Sequence, residues 1–218
     1  SNNIDNFSYK DFKKIIFKNK KLRRHNVNNK ILFDGDSIFI NDQKGNIINY
    51  SVEKKEIIYK YNFYNKNSKK IKKILNMIID KKIIYVADNI GYLYALDYQQ
   101  EKLLWAQNYK IPFRSNIKIT KNFLIIADQN NGLYIINKKD GIRTRFIPTE
   151  EKILKNEFIN SLALSEGSFL FLNTYGSLYS LNSNTVRINW FSNLNQSLNS
   201  DGSSLFESKE IIFHKKKI

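Results

Sequence analysis

Three observations predict an all-β fold built from four-stranded antiparallel sheets in tandem. One pattern of 40–46 residues recurs four times along the chain and opens a fifth time. Each copy holds short apolar runs broken by polar turns, the signature of tight hairpins. The inner runs, such as Ile83-Ile84-Tyr85-Val86 and Phe169-Leu170-Phe171-Leu172, are apolar throughout, as strands covered on both faces are. A small sheet of this kind is not stable alone and must bury both faces against neighbours. Tandem four-stranded sheets stacked in this way are the blades of a β-propeller. The expected blades span about 30–63, 74–109, 115–150 and 159–194, with an incomplete fifth at 203–218. Residues 1–29 are Lys-rich and lack the repeat.

The second copy is the clearest. Ile74–Ile79 reads as a first strand, broken by Asp80-Lys81, and Ile83–Ala87 as a second. A turn closing on Gly91 leads to a third strand, Tyr92–Leu96. A second polar turn, Asp97–Lys102, leads to a fourth strand ending at Trp105. The same string returns at 38–59, 123–145 and 169–190. The copies align on Ile48, Tyr94, Tyr134 and Tyr179, at spacings of 46, 40 and 45. Eleven positions further on lie Tyr59, Trp105, Arg145 and Trp190. Turns are expected near Asp34–Asp36, Asn89–Gly91, Lys138–Gly141 and Thr174–Gly176. Gly45, Gly91 and Gly176 sit where the hairpin wants positive φ, and Asn131 holds the matching slot in the third copy. Repeat-locked aromatics should pack between blades, so Trp105 and Trp190 are expected to be buried at equivalent places.

The string Asp88-Asn89-Ile90-Gly91-Tyr92-Leu93-Tyr94-Ala95-Leu96-Asp97, closed by Leu103-Leu104-Trp105, resembles the pyrroloquinoline-quinone-type propeller repeat. Gly176–Asn182 through Trp190 is nearly as good a copy. The resemblance covers residues 30–218 and implies part of an eight-bladed ring. Two kinds of member frame the function. Quinoprotein dehydrogenases hold the quinone and a calcium ion. The periplasmic lipoprotein of the outer-membrane barrel-assembly machinery is a cofactor-free scaffold that binds its partner through loops.

The residues favour the scaffold. The chain has no cysteine, which removes thiolate metal sites, cysteine nucleophiles and the paired cysteines common beside the quinone in the enzymes. Asp88, Asp97, Asp128 and Asp140 all lie in or beside turns, where Asp caps local backbone. His25 and His214 stand in no metal-ligand spacing and read as surface residues. No catalytic, cofactor-binding or metal residue is therefore assigned. The expected function is a non-enzymatic, protein-binding propeller similar to the barrel-assembly lipoprotein. A fragment of a quinone-dependent dehydrogenase and a generic ligand-binding propeller are the alternatives. The resemblance places the protein in the periplasm at the outer membrane, with an assembly component as partner and room for a lipid anchor upstream.

The net charge of +16 admits two readings, an acidic partner or compositional drift toward lysine. Arginine, which forks onto phosphates and guanine edges, is rare and scattered, and no nucleic-acid partner is expected. The basic clusters are Lys10–Arg24, Lys69–Lys73 and Lys215–Lys217, the second in a solvated connection between blades. No apolar run reaches the length of a transmembrane helix. The Glu210–His214 strand would leave an unpaired edge, and self-association through open edges is expected.

Overall fold

The computed structural model describes residues 31–65, 68, 70–150, 159–165, 167–194 and 211. Their strands form four antiparallel sheets of four. The first contains β1 (Leu32–Asp34), β2 (Ser37–Asn41), β3 (Asn46–Ser51) and β4 (Glu56–Asn62). The second contains β5 (Leu75–Asp80), β6 (Ile83–Asp88), β7 (Tyr92–Asp97) and β8 (Lys102–Asn108). The third contains β9 (Lys118–Ile119), β10 (Phe123–Ala127), β11 (Leu133–Asn137) and β12 (Arg143–Ile147). The fourth contains β13 (Ser161–Ser165), β14 (Ser168–Leu172), β15 (Ser177–Asn182) and β16 (Ile188–Asn193). Strands pair in sequence order within every sheet, so each is a meander. The propeller blades expected from the repeat are present, and all four expected turns fall between strands. The Lys-rich segment and the fifth copy lie outside the described residues, with the exception of Ile211.

Strand alternation explains why the inner runs are apolar throughout. Ile84 and Val86 of β6 pack toward the first blade, in a cluster with Phe39, Ile47 and Tyr94. Tyr85 and Ala87, one residue out of phase, pack toward the third blade with Leu124, Ile126 and Tyr134. Strand β10 repeats the device, turning Ile125 and Ala127 toward Leu162, Phe169 and Phe171 of the fourth blade. A strand between two blades has no solvent face, and period-2 geometry asks for an apolar residue at every position.

The outer strands obey a shared irregularity. In each blade the register between the third and fourth strands shifts once, at Asn49/Tyr50, Ala95/Leu96, Ile135/Ile136 and Ser180/Leu181. The residue opposite the position before the shift is Tyr59, Trp105, Arg145 and Trp190 respectively. The alignment of the four copies is therefore correct to the residue. Two expectations are corrected. The fourth strand does not end at Trp105 but runs on to Asn108, pairing with Tyr92. Nor are both tryptophans buried: Trp105 is half-buried, and Trp190 is 43% exposed. The reason is position in the stack. Trp105 donates its Nε1–H to Lys138 O at 3.0 Å, in the β11–β12 turn of the next blade. Arg145 reaches the equivalent turn through Thr185 O at 3.5 Å. No turn of a following blade lies among the described residues to cover Trp190.

Candidate functional site

Antiparallel order sorts the loops to two ends. The turns β2–β3, β6–β7, β10–β11 and β14–β15 share one end with the connectors that join successive blades. The remaining turns share the other. The connector end carries most of the buried polar chemistry.

Its turns are built alike. Asp42 Oδ1 accepts the N–H groups of Lys44 (3.0 Å) and Asn46 (2.9 Å). Asp88 Oδ1 accepts those of Ile90 (2.9 Å) and Tyr92 (2.8 Å). Asp128 does the same for Asn130 (2.8 Å) and Gly132 (2.9 Å), and Asn173 for Tyr175 (3.0 Å) and Ser177 (2.9 Å). A side-chain oxygen thus holds two donors that the reversing chain would otherwise leave unpaired. Gly91 takes φ +97°, and a Cβ there would come within 2.8 Å of Ile111 N. Asn131 holds the same slot at φ +66°, as expected.

The candidate carboxylates are accounted for. Asp88 and Asp128 cap β6–β7 and β10–β11. At the opposite end Asp97 Oδ1 accepts the N–H groups of Gln99 and Gln100, both at 2.9 Å, and Asp140 Oδ1 that of Ile142 at 2.9 Å. All four are turn residues, and the structure does not bring them together. Among the described residues no cluster of His, Asp and Glu is placed to hold a metal ion. His25 and His214, with the Lys10–Arg24 and Lys215–Lys217 clusters, lie outside the described residues.

Three residues with no motif of their own prove central. Tyr64, in the first connector, donates to Asp88 Oδ2 at 2.6 Å and so ties blade one to blade two. Burial pushes the Asp88 carboxyl up from its ordinary value, against the pull of the Tyr64 hydroxyl and the turn amides. Lys73, expected in solvent, is instead fully buried. Its ammonium donates to Ser68 O and, at 2.7 Å, to Ile71 O, and lies 4.7 Å from the Tyr64 ring centroid. Burial lowers its pKa, with Asp88 pulling the other way.

Glu150, in the third connector, takes the place of a turn cap between blades. Its carboxylate accepts from Asn173 Nδ2 (2.9 Å), Ser177 Oγ (2.8 Å) and Tyr179 OH (2.8 Å). Burial alone would raise its pKa, but its backbone and these donors hold it below the ordinary 4.5. A lowered folded pKa means stability present above 4.5 that is lost as pH falls through the folded value. Glu150→Gln should therefore flatten the acid limb of a thermal-melting profile, while the wild-type melting temperature falls more steeply below that pH.

Comparison with known proteins agrees with this architecture. A family profile described as outer membrane protein assembly factor BamB matches residues 65–217. No curated protein matches the chain in sequence. Among solved structures, BamB from Moraxella catarrhalis superposes with a TM-score of 0.61 at 15% identity, over 74% of this chain and 47% of its own. The β-propeller domain of Cps50 (Swd1) from Myceliophteria thermophila gives 0.59 at 11% identity, over 78% of this chain and 57% of its own. The computationally designed Ika4 protein gives 0.56 at 8% identity, over 70% of this chain and 88% of its own. The chain thus spans about half the length of the BamB structure. With a profile that covers most of its length and blades that fold as the repeat requires, the chain belongs to the family of outer membrane protein assembly factor BamB.

Proposed function

We propose that this chain is part of a non-enzymatic propeller that recognises a protein partner, in the periplasm and at the outer membrane, as a component of barrel assembly. One observation supports this over chemistry. At the connector end Asp42, Asp88 and Asp128 are engaged as turn caps and Glu150 as an interblade tie, while the connectors present their side chains on a rigid frame. Function in such folds concentrates on loops held by a rigid scaffold. Family membership supports the assembly role, and the solved relatives share the frame.

Two measurements test this reading. Immobilised protein should retain the soluble periplasmic domains of outer-membrane barrel-assembly proteins and release them on competition with free protein. Calorimetric titration with Ca²⁺ and pyrroloquinoline quinone, singly and together, should show no saturable heat. Micromolar binding of either would put the dehydrogenase reading first.

A further inference from the structure

The two ends of the blades differ in charge. At the end away from the connectors, carboxylates such as Glu53, Asp80, Asp97 and Glu101 interleave with Lys54, Lys55 and Lys81. At the connector end of blades one and two, Lys44, Lys60, Lys70, Lys72 and Lys110 are exposed. The acidic residues described there are withdrawn: Asp42, Asp88 and Asp128 are buried in their turns, and Glu150 is half-buried under its three donors. Overall charge does not explain this, because composition alone has no reason to leave one end without exposed carboxylates among the described residues.

The basic surface is also built to stay in place. Lys73 holds Ser68 and Ile71 through their carbonyl oxygens, and its backbone N–H donates to Gln43 O at 2.9 Å. Asn89 clamps the next residues, donating to Lys72 O at 3.0 Å and accepting from Ile74 N at 2.9 Å. Lys70, Ile71, Lys72 and Ile74 therefore project from fixed backbone, and each isoleucine is 49% exposed. Beside them opens a cleft of about 550 Å³ lined by Lys44, Asn46, Lys60, Asn62 and Tyr64.

We infer that this surface binds an acidic segment of a partner protein that also carries apolar side chains. The inference rests on the protein-binding reading above and names the surface and the chemistry of its partner. Clustered ammonium groups select carboxylates by complementarity, and the preset backbone lowers the ordering cost of binding. Ile71 and Ile74 supply the apolar contact that a purely charged partner would not use. A nucleic acid would ask for guanidinium forks or exposed rings for stacking, and this surface offers lysine and isoleucine.

The test uses the 218-residue chain and a fluorescein-labelled peptide of repeating Glu-Asp-Leu, read by anisotropy. The triple variant Lys44→Glu, Lys70→Glu, Lys72→Glu should weaken binding by about tenfold or more. The variant Lys54→Glu, Lys55→Glu, Lys81→Glu makes the same charge change at the other end and should leave affinity within about twofold of wild type. Melting curves confirm that both variants are folded. Equal losses in the two variants, or no binding of the peptide by wild type, would overturn the proposal. So would tighter binding of single-stranded DNA or phosphatidylglycerol vesicles with the same dependence on the triple variant. If both wild type and the triple variant retain the assembly domains equally, this surface is wrong and the scaffold reading stands. Quinone or Ca²⁺ binding would instead remove the scaffold reading itself.

Discussion

Tyr94→Ala is expected to destabilise the chain by about 3–5 kcal/mol, the range for emptying a large buried aromatic site. Tyr94 is fully buried in the cluster shared by blades one and two. Its ring stacks on Phe63 at 4.7 Å between centroids, and Tyr64 approaches edge-on at 6.5 Å. Removing it opens a void in the joint, and blades that are not stable alone depend on that joint. Phe33→Ala serves as the control, since Phe33 is 66% exposed and should cost no more than about 0.5 kcal/mol. Chemical denaturation of both variants checks the contrast; equal midpoints would show that the joint is not what holds the blades.

Asp88→Ala should cost about 3 kcal/mol, by leaving the Ile90 and Tyr92 amides and the Tyr64 hydroxyl without their acceptor. Asp88→Asn should cost much less, about 1 kcal/mol, because an amide oxygen can cap the same two donors. The fourth blade already does this with Asn173. The pH dependence adds a second readout. Burial raises the Asp88 carboxyl above 3.8, so the folded state binds its proton more tightly than the unfolded chain. This group therefore favours folding increasingly as pH falls through its folded value, opposite in sign to Glu150. Asp88→Asn should remove that gain. Denaturation of both variants across the acid range tests cost and slope together, and an alanine variant as stable as the asparagine one would contradict the capping role.

Much of the fold was legible because local and global demands coincide in the repeat. The run Ile83–Val86 is apolar at every position because blades flank it on both sides, and Gly91 recurs where the turn needs positive φ. The turn role of Asp88, Asp97, Asp128 and Asp140 was legible for the same reason, since capping is a matter of neighbours in sequence. What depends on distant partners was not. Lys73 reads as one lysine in a basic run, and only the folded connector shows it buried against Tyr64. Glu150 stands outside every motif, and its three partners are 23–29 residues away in the chain. Trp190 matches Trp105 in sequence and in register but differs in exposure, because exposure is set by what the next blade presents.

The most direct test is hydrogen–deuterium exchange of the chain with and without a saturating amount of the soluble periplasmic domains of outer-membrane barrel-assembly proteins. Exchange should slow at the connector end, in residues 42–45, 70–74 and 88–91, and stay unchanged in the turns at 52–55, 98–101 and 138–142. Protection confined to those latter turns would contradict this expectation.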